Sequence, residues 1–219
     1  MDGFSGWING TCTWLMKLAI YNVLWFLFTI IGLGIFGWAP ATVALFSVIR
    51  KRLTTDKEFS DFKEFFYHYK KSFFQSNIIG ILLLLGCISI FYSISSLLYL
   101  DQSMMILLGT IFFMISILFG IVAIFIFPVY THYNTTFQNY IRYSLMIGLA
   151  NLHYGLYIIL ILGLMLFLTN MFPGLLLFYT VSAPAYLMMQ ISLKIFNSIE
   201  EKDNNRIGTD SLLNTQQTQ

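Results

Sequence analysis

Residues Gly32-Leu33-Gly34-Ile35-Phe36-Gly37 carry the glycine spacing of a dinucleotide-binding loop, in which glycines let the backbone approach a pyrophosphate at a helix N-terminus. That chemistry needs a strand before the glycines, a helix opening on the last of them, and an acid about twenty residues on to meet a ribose. Here the glycines close an apolar run, Leu18 to Trp38, and the residues that follow include Arg50, Lys51 and Arg52. The sequence therefore predicts a helix break: glycine allows unusual backbone angles and close packing, and Pro40 fits the first turn of a second helix, where its missing N–H costs nothing. Trp38 suits a membrane interface.

Metal and nucleophile chemistry find no better footing. Cys12 and Cys87 lie far apart with no CxxC or Cys/His spacing, and both read as small apolar packing residues. His68, His132 and His153 fall at the ends of apolar runs, where hydrogen bonding is the expected role. HExxH, GxSxG, the Walker lysine loop and the EF-hand pattern do not occur. No catalytic residue, cofactor or metal is expected, and the protein reads as non-enzymatic.

The elements that hold these residues are hydrophobic. The 219 residues are 58% apolar and 10% charged, with a mean hydropathy of +0.75, against roughly 25% charged in a soluble domain. The lipid bilayer is thus the first partner, and nothing supports binding to nucleic acid. A hydrocarbon core of about 30 Å needs about 20 helical residues. Five runs meet or approach this: Leu18–Trp38, Ile78–Leu100, Met104–Phe127, Leu152–Thr169 and Leu175–Leu193. The expected fold is all-α, a polytopic transmembrane helical bundle forming one domain over residues 1–200, with a polar, disordered cytoplasmic tail over 201–219.

Three shorter elements complete it. Pro40 to Ile49 is apolar but only about 15 Å long as a helix, too short to cross alone, and is expected to be a re-entrant, tilted or packed half-helix. Phe62, Phe66, Tyr69 and Phe73 recur at helical spacing among charged residues, as do Phe137, Tyr140, Ile141, Leu145 and Gly148 later in the chain. Both patterns predict amphipathic surface helices. Each precedes two spans, which makes 62–128 and 137–196 a candidate internal repeat.

Basic residues set the orientation. Arg50, Lys51, Arg52, Lys57, Lys63, Lys70 and Lys71 crowd one loop, and Arg142, Lys194, Lys202 and Arg206 follow later, while the turns near Asp101 and Asn170 hold none. Positive-inside reasoning puts the 50–71 loop, the 129–151 segment and the C-terminus in the cytoplasm. It leaves the N-terminus on either side, depending on whether the half-helix crosses. The spans carry no ionisable group at their centres, which disfavours coupled transport.

The order "YNVLWFLFTIIGLGIFGWAPATVALFSVIRK", then "FKEFFYHYKKSFFQSNIIGILLLL", then "FPVYTHYNTTFQNYIRYSLMIG" resembles the YesL family of bacterial membrane proteins. The residues that carry the likeness are Asn22 with Leu24 and Trp25, Gly37 with Pro40, Ala41 and Thr42, and Lys70 and Lys71 with Phe73 and Asn77. The resemblance implies a multi-pass protein of the bacterial plasma membrane, associated with carbohydrate import, and implies no catalytic residue. Asn22, Trp25, Pro40, Arg50, Lys51, Arg52, Lys70, Lys71 and Asn77 are the candidate partner or interface residues. The expected role is that of an accessory subunit beside the permeases of an ABC importer of oligosaccharides; the alternative is a small uncoupled transporter or channel.

Overall fold

The computed structural model describes the backbone of residues 2–55, 57–99 and 103–217, and the side chains of 10–55, 57–95, 107 and 109–202. Its order is α1 (Asp2–Ile31), α2 (Trp38–Thr54), α3 (Asp61–Tyr99), α4 (Ser103–His132), α5 (Phe137–Ala150), α6 (Leu152–Met171), α7 (Leu175–Phe178) and α8 (Ser182–Gln217). No strand occurs among the described residues, so the all-α bundle is as expected. The expected turn at Asp101 lies outside the described residues.

The glycine segment breaks the chain between α1 and α2. Leu33 and Gly34 take positive φ angles of 60° and 74°, which reverses the chain within a few residues. Gly32 and Gly37 lie so close that a Cβ on either would strike the other, and one on Gly37 would also meet the carbonyl of Thr29. This turn, not a nucleotide loop, is what the spacing serves.

Helix α2 is the axle of the molecule. Every residue from Ala39 to Ile49 is buried, and α1, α3, α4 and α8 all pack on it. A helix apolar on all sides is stable only when covered on all sides. Of the expected alternatives the short run is therefore the packed one, an interior element, extended by Trp38 and Ala39 and by Arg50–Thr54 to 17 residues.

The expected surface helix at 62–73 is not separate. Its residues continue without a break into the second span as α3, 39 residues long. Its aromatic stripe is divided: Phe62 and Phe66 are exposed, whereas Tyr69 joins Phe65, Ser72, Ser76, Ile79 and Leu83 among the buried residues. Those positions alternate steps of four and three, and continue to buried Gly86 and Ser93, the spacing of a helix–helix seam. Small residues let backbones approach: a Cβ on Gly86 would run into the Phe119 ring of α4, and Ser93 and Ser116 lie 3.4 Å apart across the same interface.

Two further corrections concern the C-terminal half. The expected fifth span is interrupted, with α7 giving way to a turn at Tyr179–Val181 before α8 begins. Among the described residues, four helices contain stretches long and apolar enough to cross a membrane: Gly10–Ile31, Asp61–Ser95, Gly109–His132 and Leu152–Met171. The polar segment from residue 201, expected to be disordered, continues α8 to Gln217; extending an existing helix avoids the cost of a new nucleus. The amphipathic helix expected around 137–149 is present as α5, and it turns into α6 at Asn151. The candidate repeat is thus unequal, one half starting with a continuous α3 and the other with two helices.

Candidate functional site

The nine candidate residues do not form one cluster. Asn22 and Pro40 are buried and Trp25 is half-buried. Asn22 is fully buried; its Oδ1 accepts the backbone N–H groups of Val181 at 3.0 Å and Ser182 at 2.9 Å, and its Nδ2 donates to the Leu176 carbonyl at 3.0 Å. A helix start leaves N–H groups without partners, and here a side chain from α1 supplies the cap that α8 lacks locally. Trp25 Nε1 donates to Thr42 Oγ1 at 3.0 Å, which donates to the Trp38 carbonyl. Pro40 is buried in the first turn of α2. Asn77 donates to the carbonyl of Phe73, one turn back on its own helix.

The basic triplet at the end of α2 fans out, because successive helical residues point about 100° apart. Arg52 donates to Asp61 Oδ1 at 2.6 Å, and Tyr21 donates to the same oxygen at 3.1 Å. Burial lowers the Arg52 pKa, but the bonds to Asp61 and Tyr21 outweigh it and leave it raised. Lys51 pairs with Glu64 at 2.7 Å, and both cations lie over the ring of Phe59, at 4.9 and 4.0 Å. These contacts join α1, α2 and α3 at one end of the bundle.

Arg50 goes elsewhere. Its Nη1 donates to the Thr131 carbonyl at 2.6 Å, one of the last carbonyls of α4, which have no partner within their own helix. The side chain lines a cavity of about 290 Å³ between α2, α3 and the end of α4. His68, Lys71, Gln75, His132 and Tyr140 share that lining, and among the described residues no Asp or Glu does. Arg50 Nε and His132 Nδ1 are buried there without hydrogen-bond partners. Arg50 enters no ion pair among the described residues, and burial lowers its pKa, opposed by the charge of Glu200.

The histidines are each held from one side. His68 Nε2 lies 3.1 Å from Glu64 Oε1, and His132 Nε2 lies 3.1 Å from Glu200 Oε1. Tyr130 donates to Gln75 Oε1 at 2.8 Å, and the Tyr140 hydroxyl accepts the Thr135 N–H, leaving its own proton to donate. Of the candidate residues, only Arg50 and Lys71 meet at this cavity; Lys70, next in sequence, is exposed and does not line it. The two histidines, Gln75, Tyr140 and Glu200 were not legible as a cluster. The available signal was a run of polar side chains, Tyr130 to Asn134, ending an apolar span and so arriving at the level of the basic loop.

The helices and this polar end define a class: a small, multi-pass helical membrane protein with a basic cavity where three helices terminate or begin. The family follows from comparison with known proteins. Residues 18–94 match the model described as "Protein of unknown function, DUF624". The chain is 32% identical over 200 residues to the uncharacterized protein YteU of Bacillus subtilis (strain 168), covering 91% of this chain and 90% of that one. It is 30% identical over 199 residues to the uncharacterized protein YesL of the same organism, covering 89% and 92%. A third relative there, the uncharacterized protein YesV, is 33% identical over 196 residues, covering 86% and 91%. The chain belongs to this family. No solved structure matches it.

Proposed function

We propose that this protein is a non-enzymatic accessory subunit of the bacterial plasma membrane, associated with the permeases of an ABC importer for oligosaccharides, with its C-terminus in the cytoplasm. The observation that carries the reading is α6. Of its twenty residues only Gly155 and Ile158 are buried, while Leu156, Leu160, Leu164 and Phe167 stand more than half exposed. A helix held so lightly contributes little to its own bundle and offers a long apolar face to a neighbour in the bilayer. The likeness to the YesL family supplies the kind of neighbour. The orientation is supported by geometry: Arg50, His132 and Glu200, from three segments expected in the cytoplasm, meet at one end.

A transporter or channel would need a polar path through the bundle, and α2 fills the middle with eleven consecutive buried residues, Ala39 to Ile49. The test is purification of the tagged protein from native membranes in mild detergent, with mass spectrometry of what remains bound. Stoichiometric recovery of importer permeases is expected. Recovery of the protein alone, combined with solute flux in liposomes, would replace the reading with the transporter.

A further inference from the structure

We propose that the cavity lined by Arg50 and Lys71 binds a phosphate group, carried by an anionic lipid or by a small phosphorylated solute. This inference does not depend on the accessory-subunit reading.

The bond from Arg50 to the Thr131 carbonyl accounts for one of its five N–H groups. Capping α4 explains that bond but not the rest of the side chain, whose Nε is buried without a partner. Arg50 is half-buried, and a guanidinium withdrawn that far from water is normally compensated by a carboxylate or another anion, because removing an unpaired charge from water is costly. Two residues along, Arg52 shows the compensated case, with Asp61 at 2.6 Å. Nothing equivalent is built for Arg50: the charge of Glu200 acts on it, but Glu200 pairs with His132 and Glu64 with Lys51 and His68, and neither carboxylate pairs with Arg50 or lines the cavity.

What faces Arg50 is complementary to an oxyanion with several acceptor directions. Lys71 adds a second cation from α3, the Tyr140 hydroxyl adds a donor from α5, and Gln75 has an amide group besides the oxygen that Tyr130 uses. Donors arriving from separate elements suit a tetrahedral phosphate, which Arg and Lys recognise together. A volume of about 290 Å³ is at the lower edge of small-ligand sites, enough for a headgroup or a small solute. The site also sits at the basic end of the bundle, where anionic lipid headgroups would meet it.

The test uses the purified full-length protein, freed of lipid in a neutral detergent, and follows its thermal midpoint by tryptophan fluorescence. The probes are phosphatidylglycerol against phosphatidylcholine in the micelle, and glycerol phosphate against chloride at matched ionic strength. The expected result is a higher midpoint with phosphatidylglycerol, with glycerol phosphate, or with both. A response to the lipid alone assigns a headgroup; a response to the free phosphate assigns a solute. Removing one charge-assisted bond should raise the half-saturating concentration about tenfold or more in Lys71→Gln and Arg50→Met, whereas Lys70→Gln should match wild type. If Arg50→Met fails to fold, Lys71→Gln decides, since Lys71 is exposed and lightly packed. No response to any probe, or an undiminished response in Lys71→Gln, overturns the proposal.

Discussion

Asn22 Oδ1 accepts the backbone N–H of Ser182 at 2.9 Å, so a side chain of the first helix caps the last helix across 160 positions of sequence. The bond matters because the chain is broken just there. With α7 ended at Phe178 and α8 opening at Ser182, the N–H groups of Val181 and Ser182 would face an apolar interior unpaired without Asn22, while that of Ala183 bonds back to the Tyr179 carbonyl. Asn22 closes the bundle by joining its two ends.

Asn22→Leu should therefore destabilise the protein more than its size suggests. It removes the acceptor of two buried N–H groups and the donor to Leu176. Stranded polar groups cost about 1–3 kcal/mol each, reduced in a membrane setting where the unfolded state also finds partners. A loss of about 2 kcal/mol is expected in reversible unfolding in mixed micelles. Unchanged stability would show that the cap is dispensable.

The ion pairs at the end of α2 should rank by burial. Arg52 and Asp61 have side chains 14% and 21% exposed, against 39% for Lys51 in its pair with Glu64. A double-mutant cycle on Arg52→Ala and Asp61→Asn should give a coupling of about 1–3 kcal/mol, and the corresponding cycle on Lys51 and Glu64 less than about 1 kcal/mol. A reversed order would mean that the Tyr21–Asp61–Arg52 contact does not hold α1 in place.

The glycine turn offers a graded test. Gly37→Ala places a Cβ against the carbonyls of Thr29 and Phe28, Gly34→Ala meets open space but keeps a φ of +74°, and Gly120→Ala meets open space within α4. Expected losses fall in that order: severe for Gly37, about 1 kcal/mol for Gly34, and none for Gly120, where alanine favours the helix by about 1 kcal/mol. Thermal midpoints of the three variants check the order. Equal effects at Gly34 and Gly37 would argue against the close approach of the two glycine backbones.

These residues also show what the sequence made legible. The break at Gly32–Gly37 was readable because glycine and proline act through the local backbone. The aromatic spacing in α3 showed an apolar stripe but not which of its residues meet another helix. Phe62 and Phe66 stay exposed, Tyr69 turns into the bundle, and small residues such as Ser72, Ser76 and Gly86 take the remaining helix contacts. Length alone could not show that Pro40–Ile49 lies at the centre, since burial depends on which helices surround it. The basic triplet was visible, yet Arg50, Lys51 and Arg52 look alike in sequence. Only the rotation of α2 sends one to Asp61, one to Glu64 and one to a cavity without a carboxylate.

That rotation makes the topology testable at two exposed positions. Lys57 lies in the basic loop before α3, and Asn170 at the far end of α6. If positive charge orients the chain as its distribution requires, the two face opposite sides of the membrane. In a background with Cys12 and Cys87 replaced by Ser, a membrane-impermeant maleimide should label Asn170→Cys in intact cells and Lys57→Cys only after permeabilisation. Replacing Arg50, Lys51 and Arg52 together by Ala should then raise labelling of Lys57→Cys in intact cells, because the loop loses three of its basic residues. Labelling of both positions from one side would mean that α3, α4 and α6 do not all cross between them. An unchanged pattern in the triple variant would mean that these three residues do not set the orientation, leaving Asp61, Glu64 and the Thr131 carbonyl as their reason for being there.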